Sequence, residues 1–126
     1  MPSAPAQPTE RHAVDVPDAS ESVRYLRRQA GLTEIDLADG TGASPRTVRR
    51  WAKDGTQPQG RYQRHIDDLH TIVRVLEDSL TAKGIRQWLR SRNRYLRGQR
   101  PIDLLREEEF DRVYEAAQAF REGYHL

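Results

Sequence analysis

The stretch LTEIDLADGTGASPRTVRRWAKD, Leu32 to Asp54, predicts two short helices separated by a tight turn at Gly42-Ala43. Thr33 stands where a side-chain oxygen accepts a hydrogen bond from an unpaired amide of the first turn, and Glu34 and Asp36 follow as acids suited to a helix N-terminus. The second helix opens on Ser44 as cap and Pro45 at the first helical position, where a missing N–H costs nothing. Ile35, Leu37 and Ala38 are expected on the inner side of the first helix, Val48 and Trp51 on that of the second. Ala38 lies four residues before Gly42, Val48 six after it, and Trp51 three further on. This is the spacing of a helix-turn-helix: a small residue where the helices cross, a glycine where the turn favours a left-handed backbone, and two apolar residues locking the second helix onto the first. The outward side of the second helix keeps Ser44, Arg46, Thr47, Arg49, Arg50 and Lys53, with no acid between Arg46 and Lys53. A recognition helix offers such residues to the major groove, where arginine forks onto guanine or phosphate. These six are the candidate DNA-binding residues.

Around this pair the chain divides by composition. Residues 1–19 hold four prolines and little apolar material and read as a disordered arm. The helix-turn-helix region is assigned to residues 20–60. A bracing helix opens it at Ser20 or Ser22 and closes at Gly31, with Val23, Leu26 and Ala30 inward. A long helix is expected from about Arg61 to Leu80. Its apolar residues Tyr62, Ile66, Leu69, Val73, Leu76 and Leu80 alternate spacings of four and three, and Ile72 and Val75 widen the stripe to two buried faces. Residues 81–126 form the C-terminal part. It comprises a helix from about Ala82 to Ser91, a turn that tucks Tyr95 or Leu96 inward, a short helix at Pro101–Leu105, and a last helix from Glu107 to Glu122 closed by Gly123. Three acids at the start of that last helix would complement its dipole. The fold class is therefore all-α.

Charge is segregated along the chain. Ser44 to Arg64 carries six basic residues against one acid, and Ile85 to Arg100 carries six arginines and no acid. Pro101 to Leu126 carries seven acids against three arginines. One face suited to a polyanion and another suited to something else follow from this pattern. The formal net charge of +2 conceals it. There is no cysteine, hence no disulfide framework and no thiolate metal site. His65 and His70 are five apart, off the i,i+4 spacing of a helical metal pair. No apolar run approaches the roughly 20 residues that span a bilayer, and the N-terminus lacks a signal-peptide core, so a cytoplasmic protein without membrane contact is expected. No glycine-rich phosphate loop and no serine–histidine–acid set is present. An enzyme is not indicated, nor any cofactor.

The segment IRQWLRSRNRYLRGQRPIDLLREEEFDRVYEAAQAFREGYHL resembles the C-terminal domain of the Xre/MbcA/ParS antitoxins. The resemblance rests on Trp88-Leu89, Asn93, Leu96, Gly98, Pro101, Leu104-Leu105, Val113 and Gly123-Tyr124, and extends over about Ser22 to Leu126 with the helix-turn-helix upstream. It implies an antitoxin whose C-terminal region blocks the active site of a RES-domain toxin that consumes NAD⁺, and whose complex binds and represses its own operator. Toxin contact is assigned by this analogy to Trp88, Asn93, Leu96 and Gly98 and to the tail Gly123, Tyr124, His125 and Leu126. Two positions depart from the pattern: Arg92 stands where a proline is common before Asn93, and an aromatic, Phe110, where a glycine is common. Arg92, Arg94, Arg97 and Arg100 make the loop unusually basic, fitting either an acidic toxin surface or a second DNA contact. A pocket that consumes NAD⁺ must bind a pyrophosphate. The carboxylate of Leu126 on a short tail would suit it, with Tyr124 stacking where a flat ring lies.

Residues and resemblance together leave two functions: an antitoxin that also represses, or a stand-alone helix-turn-helix regulator whose C-terminal helices only dimerise it. Either would act on DNA as a homodimer or, with toxin, as a higher hetero-oligomer, since one short recognition helix reads only a few base pairs.

Overall fold

The computed structural model describes residues 19–123. Seven α-helices and one 3₁₀ turn are formed among the described residues: α1 Ala19–Gln29, α2 Glu34–Thr41, α3 Pro45–Asp54, α4 Arg61–Leu76, α5 Ala82–Arg90, the 3₁₀ turn Arg94–Leu96, α6 Pro101–Arg106 and α7 Phe110–Arg121. The all-α class holds. The expected arm falls outside the described residues except Ala19, which begins α1 and is buried.

The central element is α4. It packs against α1, α2, α6 and α7, and Ile66, Leu69, Ile72, Val73 and Leu76 are wholly buried along it. Each such side chain stabilises the fold by roughly 1.5–3 kcal/mol through burial alone. The buried cluster runs without a break from Val23 to Ala117, so the two halves share one core. Gly40 sets the closeness of α2 to this core. A Cβ there would meet Leu69 Cδ1 at 3.2 Å and Ile102 Cγ1 at 3.3 Å.

Three elements differ from their expected form. α4 stops at Leu76, not Leu80. The chain turns through Ser79 N–H and Leu80 N–H, both donated to the Leu76 carbonyl, and Thr81 then caps α5 by accepting from Gly84 N–H at 3.2 Å. Leu80 lies over Gly84, where a Cβ would crowd it at 3.2 Å. Glu107–Glu109 do not begin the last helix. Glu107 is the C-cap of α6, and Glu108 takes a left-handed conformation (φ 65°) that breaks the helical path before Phe110. Ile35, expected inside, is 55% exposed, because Asp36 and Leu37 occupy the inner positions beside it.

Candidate functional site

The turn between α2 and α3 is built as its residues dictate. Thr33 accepts from Asp36 N–H, and the Asp36 carboxylate accepts from Thr33 N–H at 2.9 Å, a reciprocal capping box. Gly42 has φ 85°, and its N–H returns to the Ala38 carbonyl at 2.8 Å. Thr41 braces the turn, its hydroxyl donating to Leu37 O and accepting from Ala43 N–H. Buried His65 on α4 adds a tie through Nδ1 to the Thr41 carbonyl at 2.9 Å. Ser44 caps α3 by accepting from Thr47 N–H, and Val48 and Trp51 are buried as their spacing required.

Of the six outward residues of α3, Ser44 is engaged as the cap and bonds the Thr47 hydroxyl at 3.1 Å. Arg46, Arg50 and Lys53 are exposed and make no ion pair among the described residues. Arg49 is different. Its guanidinium meets Glu34 at the start of α2, with Nη2 3.2 Å and Nε 3.3 Å from Oε1. The acid missing from the sequence between Arg46 and Lys53 is thus supplied in space by another helix. Arg27 of α1 approaches the other oxygen of Glu34 at 3.8 Å.

Asp36 carries the joint between α2 and the C-terminal half. It is fully buried, yet Arg86 Nε lies 2.6 Å from Oδ2 and Arg90 Nη1 lies 2.9 Å from Oδ1. Arg90 also reaches Asp39 at 3.0 Å. Burial pushes the Asp36 pKa up, but the hydrogen bonds from Arg86 and from the Thr33 amide, with the charges of both arginines, outweigh it and hold the carboxyl below its usual value. Asp103 is likewise held low by its hydrogen bond from Arg100, with Nε 2.8 Å from Oδ2.

The loop after α5 is a closed knuckle. Asn93 N–H donates to Gln99 O at 3.1 Å, and the Asn93 carbonyl accepts from Leu96 N–H and Gly98 N–H. Arg97 and Gly98 both take positive φ, 58° and 83°. Among the residues assigned to toxin contact, Trp88, Asn93 and Gly98 are half-buried. Leu96 is 1% exposed, so it anchors the loop in the core and presents no surface to a partner. Gly123 is exposed with φ 102°. Tyr124, His125 and Leu126 lie outside the described residues.

This all-helical architecture has a counterpart among solved structures, and its sequence has relatives. Residues 74–123 match the model described as the antitoxin Xre/MbcA/ParS C-terminal toxin-binding domain. A probable mycobacterial cidal antitoxin of Mycobacterium tuberculosis, Rv3188, is 40% identical over 109 residues, covering 86% of this chain and 92% of the relative. The mycobacterial cidal antitoxin MbcA of Mycobacterium bovis is 33% identical over 93 residues, 74% of this chain and 82% of the relative. The crystal structure of the M. tuberculosis MbcT–MbcA toxin–antitoxin complex contains a chain with TM-score 0.74 and 30% identity, covering 88% of this chain and 100% of that one. The chain belongs to the Xre/MbcA/ParS antitoxin family. No helix of the described residues is long and apolar enough to cross a membrane.

Proposed function

We propose that this antitoxin neutralises a RES-domain, NAD⁺-degrading toxin by occluding its active site, and represses its own operon through α2 and α3. The observation that carries the first half is the family match over residues 74–123, which takes in α5, the knuckle, α6 and α7. The likeness to an antitoxin solved with its toxin supports it. Trp88, Asn93 and Gly98 supply the surface toward the toxin, Leu96 holds it in place, and Tyr124 of the tail Gly123–Leu126 stacks in the occluded pocket. The second half is supported by the capped turn at Gly42 and by the exposed cations Arg46, Arg50 and Lys53 on α3. Phosphate neutralisation by these residues gives affinity, and a guanidinium forked onto a base gives sequence preference. A dimer, or a larger assembly with toxin, pairs two such helices on an operator.

Co-expression with the product of the adjacent gene, followed by co-purification and cellular NAD⁺ measurement, tests this. A stable complex with NAD⁺ preserved only when the antitoxin is present is expected. Absence of both would leave α2–α3 as the acting part, that of a stand-alone regulator.

A further inference from the structure

We propose that the exposed trio Arg94, Tyr95 and Arg97 on the knuckle after α5 is a preformed docking surface for an acidic patch on the toxin. This rests on the toxin-binding reading above and names the chemistry of one part of that contact.

Six arginines crowd Ile85–Arg100, but the fold withdraws half of them. Arg86 is paired with Asp36, Arg90 with Asp36 and Asp39, and Arg100 with Asp103. Arg92 is turned back on the loop, its Nη1 3.4 Å from the Gly98 carbonyl. Arg94 and Arg97 make no ion pair or side-chain hydrogen bond among the described residues, and both are exposed. Between them Tyr95 is 43% exposed, one of two large apolar side chains so placed among the described residues. The backbone beneath is fixed. Leu96 is pinned in the core, Arg97 N–H closes on Arg94 O at 3.0 Å, and Gly98 N–H on Asn93 O at 2.8 Å. The backbone that carries the trio is thus fixed before any partner arrives, which lowers the backbone entropy lost on binding.

Two observations favour a protein partner over nucleic acid. Tyrosine flanked by arginine is the composition of protein-interface hot spots. The 3₁₀ turn lies within residues 74–123, the part that matches a toxin-binding domain, and packs against α7, whereas α3 lies outside that part and packs against α1 and α2. Positive charge that has no ion-pair partner among the described residues, carried on a fixed turn, then calls for carboxylates opposite it.

The test uses the full chain, the purified product of the adjacent RES-domain gene, and a duplex carrying the promoter of the operon. Arg94→Glu/Arg97→Glu should weaken toxin binding at least about 10-fold at low salt, and the difference should shrink as salt rises. Tyr95→Ala should weaken it about 10-fold at every salt concentration. Far-ultraviolet circular dichroism and promoter binding should match the unaltered chain for both variants. Toxin affinity within twofold of the unaltered chain would overturn the proposal while leaving toxin binding itself intact. Loss of promoter binding with toxin affinity kept would overturn it in favour of a nucleic-acid contact. An unaltered chain that fails to bind the toxin would remove the underlying reading and the proposal with it.

Discussion

Replacing Asp36 with alanine should be among the most damaging single changes in this fold, although Asp36 is a charged residue on a short helix. Its carboxylate is 0% exposed and accepts from Thr33 N–H, Arg86 and Arg90. Loss of the capping reciprocity costs about 1 kcal/mol. Loss of the charge-assisted hydrogen bonds adds about 1.5–3 kcal/mol. The larger penalty of stranding a buried charge does not apply, because the side chains of Arg86 and Arg90 are 44% and 25% exposed and regain water. The expected loss is therefore about 2.5–4 kcal/mol, a large part of the roughly 5–15 kcal/mol of a typical domain. At about 4 °C per kcal/mol for a domain near this size, the melting temperature should fall by roughly 10–16 °C. Urea unfolding followed by circular dichroism at pH 7 gives the value directly, with an unchanged slope confirming an unchanged denatured state. Adding Arg90→Ala should cost less in the Asp36→Ala background than alone, because the Arg90–Asp36 bond is already gone and only the pair with Asp39 remains to be lost. A loss below about 0.5 kcal/mol, within the range of ordinary surface substitutions, would refute the idea that Asp36 joins the two halves.

Arg50→Ala should weaken operator binding by about 1–3 kcal/mol if its guanidinium forks onto a base, and gel-shift titration against operator and unrelated duplex distinguishes this from a phosphate contact, whose loss is equal on both. Gly42→Ala should destabilise by about 1–2 kcal/mol through the left-handed backbone alone. A Cβ there meets only the Arg106 side chain, Cγ at 3.7 Å and Cδ at 4.0 Å, both ordinary contacts, so a larger loss in thermal melts would reveal a packing role. Asp36 has a depressed folded-state pKa, so its contribution is fully present above the usual carboxylate range near pH 4 and is lost as pH falls through the folded value. Stability measured from pH 6 to 2 should fall steeply below about pH 4, and Asp36→Asn should flatten that fall. Deleting residues 123–126 should abolish toxin inhibition while leaving promoter binding unchanged, and full inhibition by the truncated chain would exclude the tail from the contact.

Local chemistry was legible in the sequence where a residue's role depends on its near neighbours. The Thr33 and Ser44 caps, the Gly42 turn and the inward Val48 and Trp51 follow from positions a few residues apart. Leu96 was one of two candidates for the tucked position after α5, and burial selects it over Tyr95. What the sequence hid was pairing across distance. Asp36 reads as a helix-start acid, and its partners Arg86 and Arg90 lie 50 and 54 residues away. Those arginines therefore counted as free positive charge when the fold had already neutralised them. The Glu34–Arg49 pair was hidden for the same reason. The run Glu107–Glu109 misled in another way. Acids at a helix start and acids in a link between helices have the same composition, and only the left-handed Glu108 separates them.

Titrating the proposed partner, a purified RES-domain toxin, with the full chain while following NAD⁺ consumption tests the proposed neutralisation by occlusion most directly. Occlusion predicts that turnover falls to zero at a fixed molar ratio of antitoxin to toxin and that a large excess of NAD⁺ slows the onset of inhibition. Undiminished NAD⁺ consumption in the presence of excess folded antitoxin would contradict it.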